Sequence, residues 1–110
     1  TLPNLEMLVM NSMPLVSEIN LWDANLKMLE CRNSKFTDKV VINIIKSAPQ
    51  LTRLDLCESK QITNKTLEKA AKLTARRTNN TILQIFVGGT SVNLSTFHNT
   101  SPFLQVVIAL

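Results

Sequence analysis

The residues best suited to chemistry in this chain are two thiols, Cys31 and Cys57, and one imidazole, His98. A thiol becomes a nucleophile only when a neighbouring histidine, cation or helix N-terminus lowers its pKa. No basic neighbour is guaranteed beside Cys57, and His98 stands in a polar stretch, residues 95–101, with no acidic partner in the local sequence. The set of nucleophile, base and orienting group that catalysis requires is missing from these spacings, and an enzyme is not expected. Without a Cys-x-x-Cys pair or a histidine cluster, the cysteines make neither a disulfide framework nor a zinc set. No cofactor or metal is therefore expected, and a reducing compartment, cytoplasmic or nuclear, fits the cysteine usage.

Charge points the same way. The 110 residues carry a formal net charge of +4, with 12 Lys and Arg against 8 Asp and Glu, but only Arg76 and Arg77 are adjacent basic residues. No basic stripe alternates with aromatics, so the charge reads as a scattered, solvated surface and nucleic acid is not an expected partner. Neither a signal peptide nor a long apolar run is visible, so no membrane partner is expected. Thr1 is read as a cut through a longer chain. Four Asn-x-Ser/Thr sequons, at Asn64, Asn79, Asn93 and Asn99, stand against about two expected by chance at this composition and are read as unused.

The elements that would position these groups come from an internal repeat. Apolar-x-x-apolar-x-apolar triplets occur at Leu5/Leu8/Met10, Leu26/Leu29/Cys31, Leu51/Leu54/Leu56, Ile82/Ile85/Val87 and Leu104/Val107/Ala109. About four such triplets would arise by chance, so their flanks carry the weight. Pro3, Pro49 and Pro102 each stand two residues ahead of a triplet, where proline ends a helix and fixes the entry to a strand. After the second and third triplets come Phe36-Thr37-Asp38 and Ile62-Thr63-Asn64: an apolar anchor, then a pair whose side-chain oxygens suit the first turn of a helix. Helical spacing follows over residues 39–47 and 65–73, with Val40, Val41, Ile44 and Ile45 in one and Leu67, Ala70, Ala71 and Leu73 in the other.

Each unit reads as a short strand, a turn, a helix and a return of about 25 residues. The first return carries Pro14 and no convincing helix, and Trp22 with Leu21 reads there as a packing plug. Residues 74–81 read as an extended polar loop, and Gly88-Gly89 as a turn of positive φ. Three residues beyond the triplets stand Met13, Ser34, Ser59 and Thr90, and the three hydroxyls are suited to a ladder of bonds to turn backbone.

The pattern resembles the leucine-rich repeat, and the stretch from Leu51 to Leu67, LTRLDLCESKQITNKTL, resembles the cysteine-containing subtype found in F-box proteins. The resemblance is good over residues 26–73 and loose elsewhere, and Ser or Thr stands where Cys is usual after the strand. It implies an α/β solenoid, a curved arc of short parallel strands with helices on its convex side. Residues 1–110 would form a single segment of four to five repeats, part of a longer chain. The implied function is a protein-protein interaction scaffold: the substrate-binding arc of an F-box type ubiquitin ligase receptor, whose F-box would lie outside this segment and hold the ligase adaptor. The alternative is a leucine-rich repeat regulator of a small GTPase or a cytoskeletal protein, with no ligase role.

Because strand side chains alternate, the residues between and just after the triplet positions would face outward on the concave side. Met7, Val9, Val106 and Ile108 belong to that set; its centre is Met28, Glu30, Arg32, Arg53, Asp55, Cys57, Gln84 and Phe86. These eight are the expected partner-binding residues, an apolar surface edged by charges. The alternative to a binding surface is that Glu30 with Arg53 and Arg32 with Asp55 simply pair diagonally across adjacent strands, worth well under about 1 kcal/mol at an exposed surface. The apolar end, residues 103–110, would be a last strand paired with a further repeat or a cap.

Overall fold

A computed structural model describes residues 6–12 and 25–108. The fold is α/β. Five short strands, β1 (Met7–Val9), β2 (Met28–Glu30), β3 (Arg53–Asp55), β4 (Leu83–Phe86) and β5 (Leu104–Val107), form one parallel sheet in chain order. Helix α1 (Asp38–Ser47) lies between β2 and β3, helix α2 (Asn64–Thr74) between β3 and β4, and a single 3₁₀ turn, Leu94–Thr96, between β4 and β5. Parallel neighbours need a crossover connection, and among the described residues α1 and α2 supply those from β2 to β3 and from β3 to β4.

The register makes the sheet regular. Leu8, Leu29, Leu54, Ile85 and Val106 form one row across all five strands. Leu29, Leu54 and Ile85 are fully buried, and Leu8 and Val106 pack against the same core at its ends. The helices supply the other wall: Val40, Val41, Ile44 and Ile45 of α1 and Leu67, Ala70 and Ala71 of α2 join this core. The β-branched run in α1 is a poor helix former by itself, so burial of that stripe holds the helix. Pro49 follows Ala48, whose non-helical backbone, φ −123° and ψ 76°, terminates α1, in line with the exclusion of helical geometry before a proline. The anchors Phe36 and Ile62 are fully buried.

The Thr-Asp and Thr-Asn pairs have a wider role than helix capping. Thr37 and Thr63 are the N-caps, accepting from the Val40 and Lys65 N–H groups. The second member of each pair reaches into the next unit instead. Asp38 accepts from the backbone N–H of Thr63 at 2.9 Å and from the hydroxyls of Thr63 and Thr66 at 2.7 and 2.6 Å. Asn64 repeats the contact one unit on: its carbonyl accepts from the Asn93 N–H at 2.8 Å and its amide donates to the Asn93 carbonyl at 2.9 Å. Each helix start is thereby bonded to the cap of the following unit.

The turns after the strands repeat too. Ser12, Asn33, Glu58 and Gly89 all have positive φ, from 52° to 74°, and each stands four residues beyond the core position of its own strand, Leu8, Leu29, Leu54 and Ile85. Backbone pairing runs on through these turns, with the Ser12, Asn33 and Glu58 N–H groups donating to the Arg32, Cys57 and Gly88 carbonyls. The expected hydroxyl ladder has two rungs: Ser34 Oγ donates to the Met10 carbonyl at 3.2 Å, and Ser59 Oγ donates to the Cys31 carbonyl and accepts from the Ser34 N–H, both at 3.1 Å. Thr90 bonds within its own turn, to the Val87 carbonyl at 2.7 Å. Met13, Pro14, Leu21 and Trp22 lie outside the described residues.

Two triplets need correction. Ile82 is 49% exposed and Leu83 fully buried, because the inward side chains alternate as Leu83 and Ile85 along β4 and Val87 just after it, which turns Ile82 to the other side. In the fifth, Val106 occupies the core row and Val107 pairs with Phe86, so the inward position is Val106, not Val107; Ala109 lies outside the described residues. Among the described residues no helix is long and apolar enough to cross a membrane.

Candidate functional site

The face of the sheet opposite the helices presents two rows. The first is Met7, Met28, Arg53, Gln84 and Gln105; the second is Val9, Glu30, Asp55, Phe86 and Val107. The strands that bury the leucine row necessarily turn these side chains to the other side. Six of the eight expected residues, Met28, Glu30, Arg32, Arg53, Gln84 and Phe86, are half-buried there. Met7 and Val9 stand 56% and 55% exposed at the β1 edge, and Ile108 is 58% exposed at the other.

Arg53 lies over Phe86, its guanidinium carbon 4.1 Å from the ring centroid. Such a stack contributes about 0.5–1 kcal/mol at an exposed site. Gln84 donates to Gln105 at 2.8 Å, continuing the surface toward β5. The pairing of Glu30 with Arg53 is absent. Asn11 takes Glu30 instead, donating to its carboxylate at 2.6 Å while accepting from the Arg32 N–H at 2.8 Å.

Asp55 and Cys57 depart from the expected exposed surface. Asp55 is 4% exposed and Cys57 fully buried, because Arg32 folds across them. Its Nε lies 3.2 Å from Asp55 Oδ2, one of the two diagonal pairings, and Asp55 Oδ1 accepts from the Cys57 N–H at 3.1 Å. Burial and the hydrogen bond with Asp55 push the Cys57 thiol up. Arg32 is held more firmly protonated by the Cys57 sulfur and the Asp55 charge. Burial, with Asp55 and Glu30 nearby, raises Cys31 as well. Both thiols are thus kept protonated, the opposite of what a nucleophile needs. The pair Asp55–Arg32 forms a floor, and the accessible surface above it consists of Met28, Arg53, Gln84, Phe86 and the β1 edge.

Asn11 is the residue the triplet pattern overlooks. It lies two positions beyond Val9, so the alternation that assigned Val9 outward extends to it. His98 is exposed in its loop. Among the described residues no group of three or more His, Cys, Asp or Glu side chains is placed to hold a metal.

The sequons have structural work of their own. In Asn79, Asn93 and Asn99 the side-chain carbonyl accepts from the backbone N–H two residues on, at Thr81, Ser95 and Ser101. That Asx turn favours the Asn-x-Ser/Thr order for local reasons, while Asn64 is engaged with Asn93.

No family model matches the chain, and no match was found among curated proteins or solved structures.

Proposed function

We propose that the chain is a leucine-rich repeat arc that binds another protein on the helix-free, concave face of its sheet, as the substrate-holding part of an F-box type ubiquitin ligase receptor. The observation that carries the repeat reading is the equivalence of the turns: four positive-φ residues at one position of successive units, with a core row running through all five strands. A unit of this kind buries its apolar face only by stacking on its neighbours, which leaves the opposite strand surface open for a partner. Stacked Arg and aromatic side chains, with methionine at the margin, are the composition enriched in protein interfaces.

In this reading Arg53 and Phe86 are the anchors, Met28, Gln84 and the Met7–Val9 edge supply complementary surface, and Glu30, Arg32, Asp55 and Cys57 set the shape beneath. The adaptor contact belongs to an F-box outside residues 1–110. Affinity capture of the full-length protein from cells, read by mass spectrometry, tests the assignment. Recovery of a cullin and its adaptor, with further proteins lost on Arg53→Glu, supports it. A small GTPase or a cytoskeletal protein in place of the cullin would replace the ligase reading with the regulator one.

A further inference from the structure

On the opposite side of the molecule, where α1 and α2 end, the longest return folds into a pocket of about 220 Å³. Core positions Leu29 and Leu54 are 25 residues apart, but Leu54 and Ile85 are 31. The extra length falls in residues 75–81, and insertions in repeat proteins gather in loops that often bind. Asn79 ties this loop to the preceding unit by donating to the Pro49 carbonyl at 3.3 Å, so the pocket wall is fixed at both ends.

Three cations, Lys46, Arg76 and Arg77, line the pocket, and no acidic residue does. Cations often gather at helix C-termini to meet the free carbonyls there, but four of these carbonyls already have a backbone partner. Those of Ala71, Leu73 and Thr74 accept from the Ala75, Arg76 and Arg77 N–H groups, and that of Ile44 accepts from Ala48. The Arg77 guanidinium is held from one side only: Nη1 donates to the Thr81 carbonyl and hydroxyl, each at 3.3 Å, while Nη2 is buried without a hydrogen-bond partner. A buried donor with no acceptor is costly. Burial also lowers the Arg77 pKa, a direction that a bound anion would reverse.

We propose that this pocket binds a single phosphoryl group, free or carried on a phosphorylated side chain, with Arg77 and Arg76 as the fork and Lys46 as the opposing point charge. Three cations match a dianion better than a lone carboxylate. The volume lies below the roughly 300–1,000 Å³ of sites that enclose whole small molecules, which favours one oxyanion over a nucleotide.

Amide NMR titration of the chain with inorganic phosphate, against sodium chloride at equal ionic strength, tests the site; a phosphoserine peptide and its unphosphorylated form are titrated in parallel. Shifts confined to residues 46–49 and 74–81 are expected with phosphate or the phosphopeptide and not with the controls. Lys46→Gln and Arg76→Gln, both at exposed positions, should each weaken binding roughly tenfold, as loss of a charge-assisted hydrogen bond does. Tighter binding of the phosphopeptide than of phosphate identifies a phosphoprotein as the source; equal binding identifies the free ion. Absence of shifts with both probes, or affinities unchanged in both variants, would overturn the proposal.

Discussion

The two faces of this sheet are made by the same few residues in alternation, yet they obey different constraints. On the helix side, Leu29, Leu54 and Ile85 are each completely buried, and only side chains of the right volume fit between strand and helix. On the open side, Arg53 stacks on Phe86 and Gln84 bonds to Gln105, contacts between surface side chains that do not fill a core. The difference teaches which row carries the architecture: the buried row is fixed by packing, and the open row, where the proposed partner would bind, is not.

Substitutions that break the contrast should therefore separate stability from binding. Leu54→Ala removes the centre of the buried row, and denaturant unfolding should show a loss of about 2–5 kcal/mol. Asp38→Ala takes three hydrogen bonds from the junction of α1 and α2 and leaves the Thr63 N–H and the buried Thr66 hydroxyl without their acceptor. About 1–3 kcal/mol should be lost, read in the same assay. The buried thiols give a pH signature. Because Cys31 is raised in the folded chain, its contribution is complete below the unfolded thiol pKa of about 8.5 and declines above it, by at most about 1.4 kcal/mol per pH unit. Unfolding midpoints measured from pH 7 to 10 should fall less steeply in Cys31→Ala than in the parent chain. On the open face, Arg53→Glu should cost no more than about 1 kcal/mol of stability, the worth of its stack on Phe86. A large loss of stability there would erase the distinction between the faces.

The same contrast explains what was legible in the sequence. Strand positions in the second and third units could be read because Leu-x-x-Leu-x-apolar imposes a buried row, and Pro49, Thr37 and Thr63 mark helix ends by backbone chemistry that acts within a few residues. The fourth and fifth triplets were displaced because Ile82 and Val107 are apolar at the expected spacing, while register there follows the alternation of Leu83, Ile85, Leu104 and Val106 across the strand pair. Alternation also puts Met28, Arg53, Gln84 and Phe86 on the helix-free face, where they are half-buried. Burial of Asp55 and Cys57 depends on where the long Arg32 side chain lies, and the capture of Glu30 by Asn11 depends on a neighbouring strand; neither follows from spacing along one strand. The reach of Asp38 and Asn64 into the following units is of the same kind.

The most direct test of the open face as a protein-binding surface is to compare full-length parent, a Phe86→Ala/Arg53→Glu double variant and a control, Glu68→Ala, at an exposed position on α2, each verified as equally folded, and to measure affinity for the captured partner. Loss of an aromatic-arginine anchor should cost at least about 2 kcal/mol of binding, roughly thirtyfold in Kd, with the control unchanged. Equal affinity across all three proteins would contradict the assignment and move the partner site off the sheet.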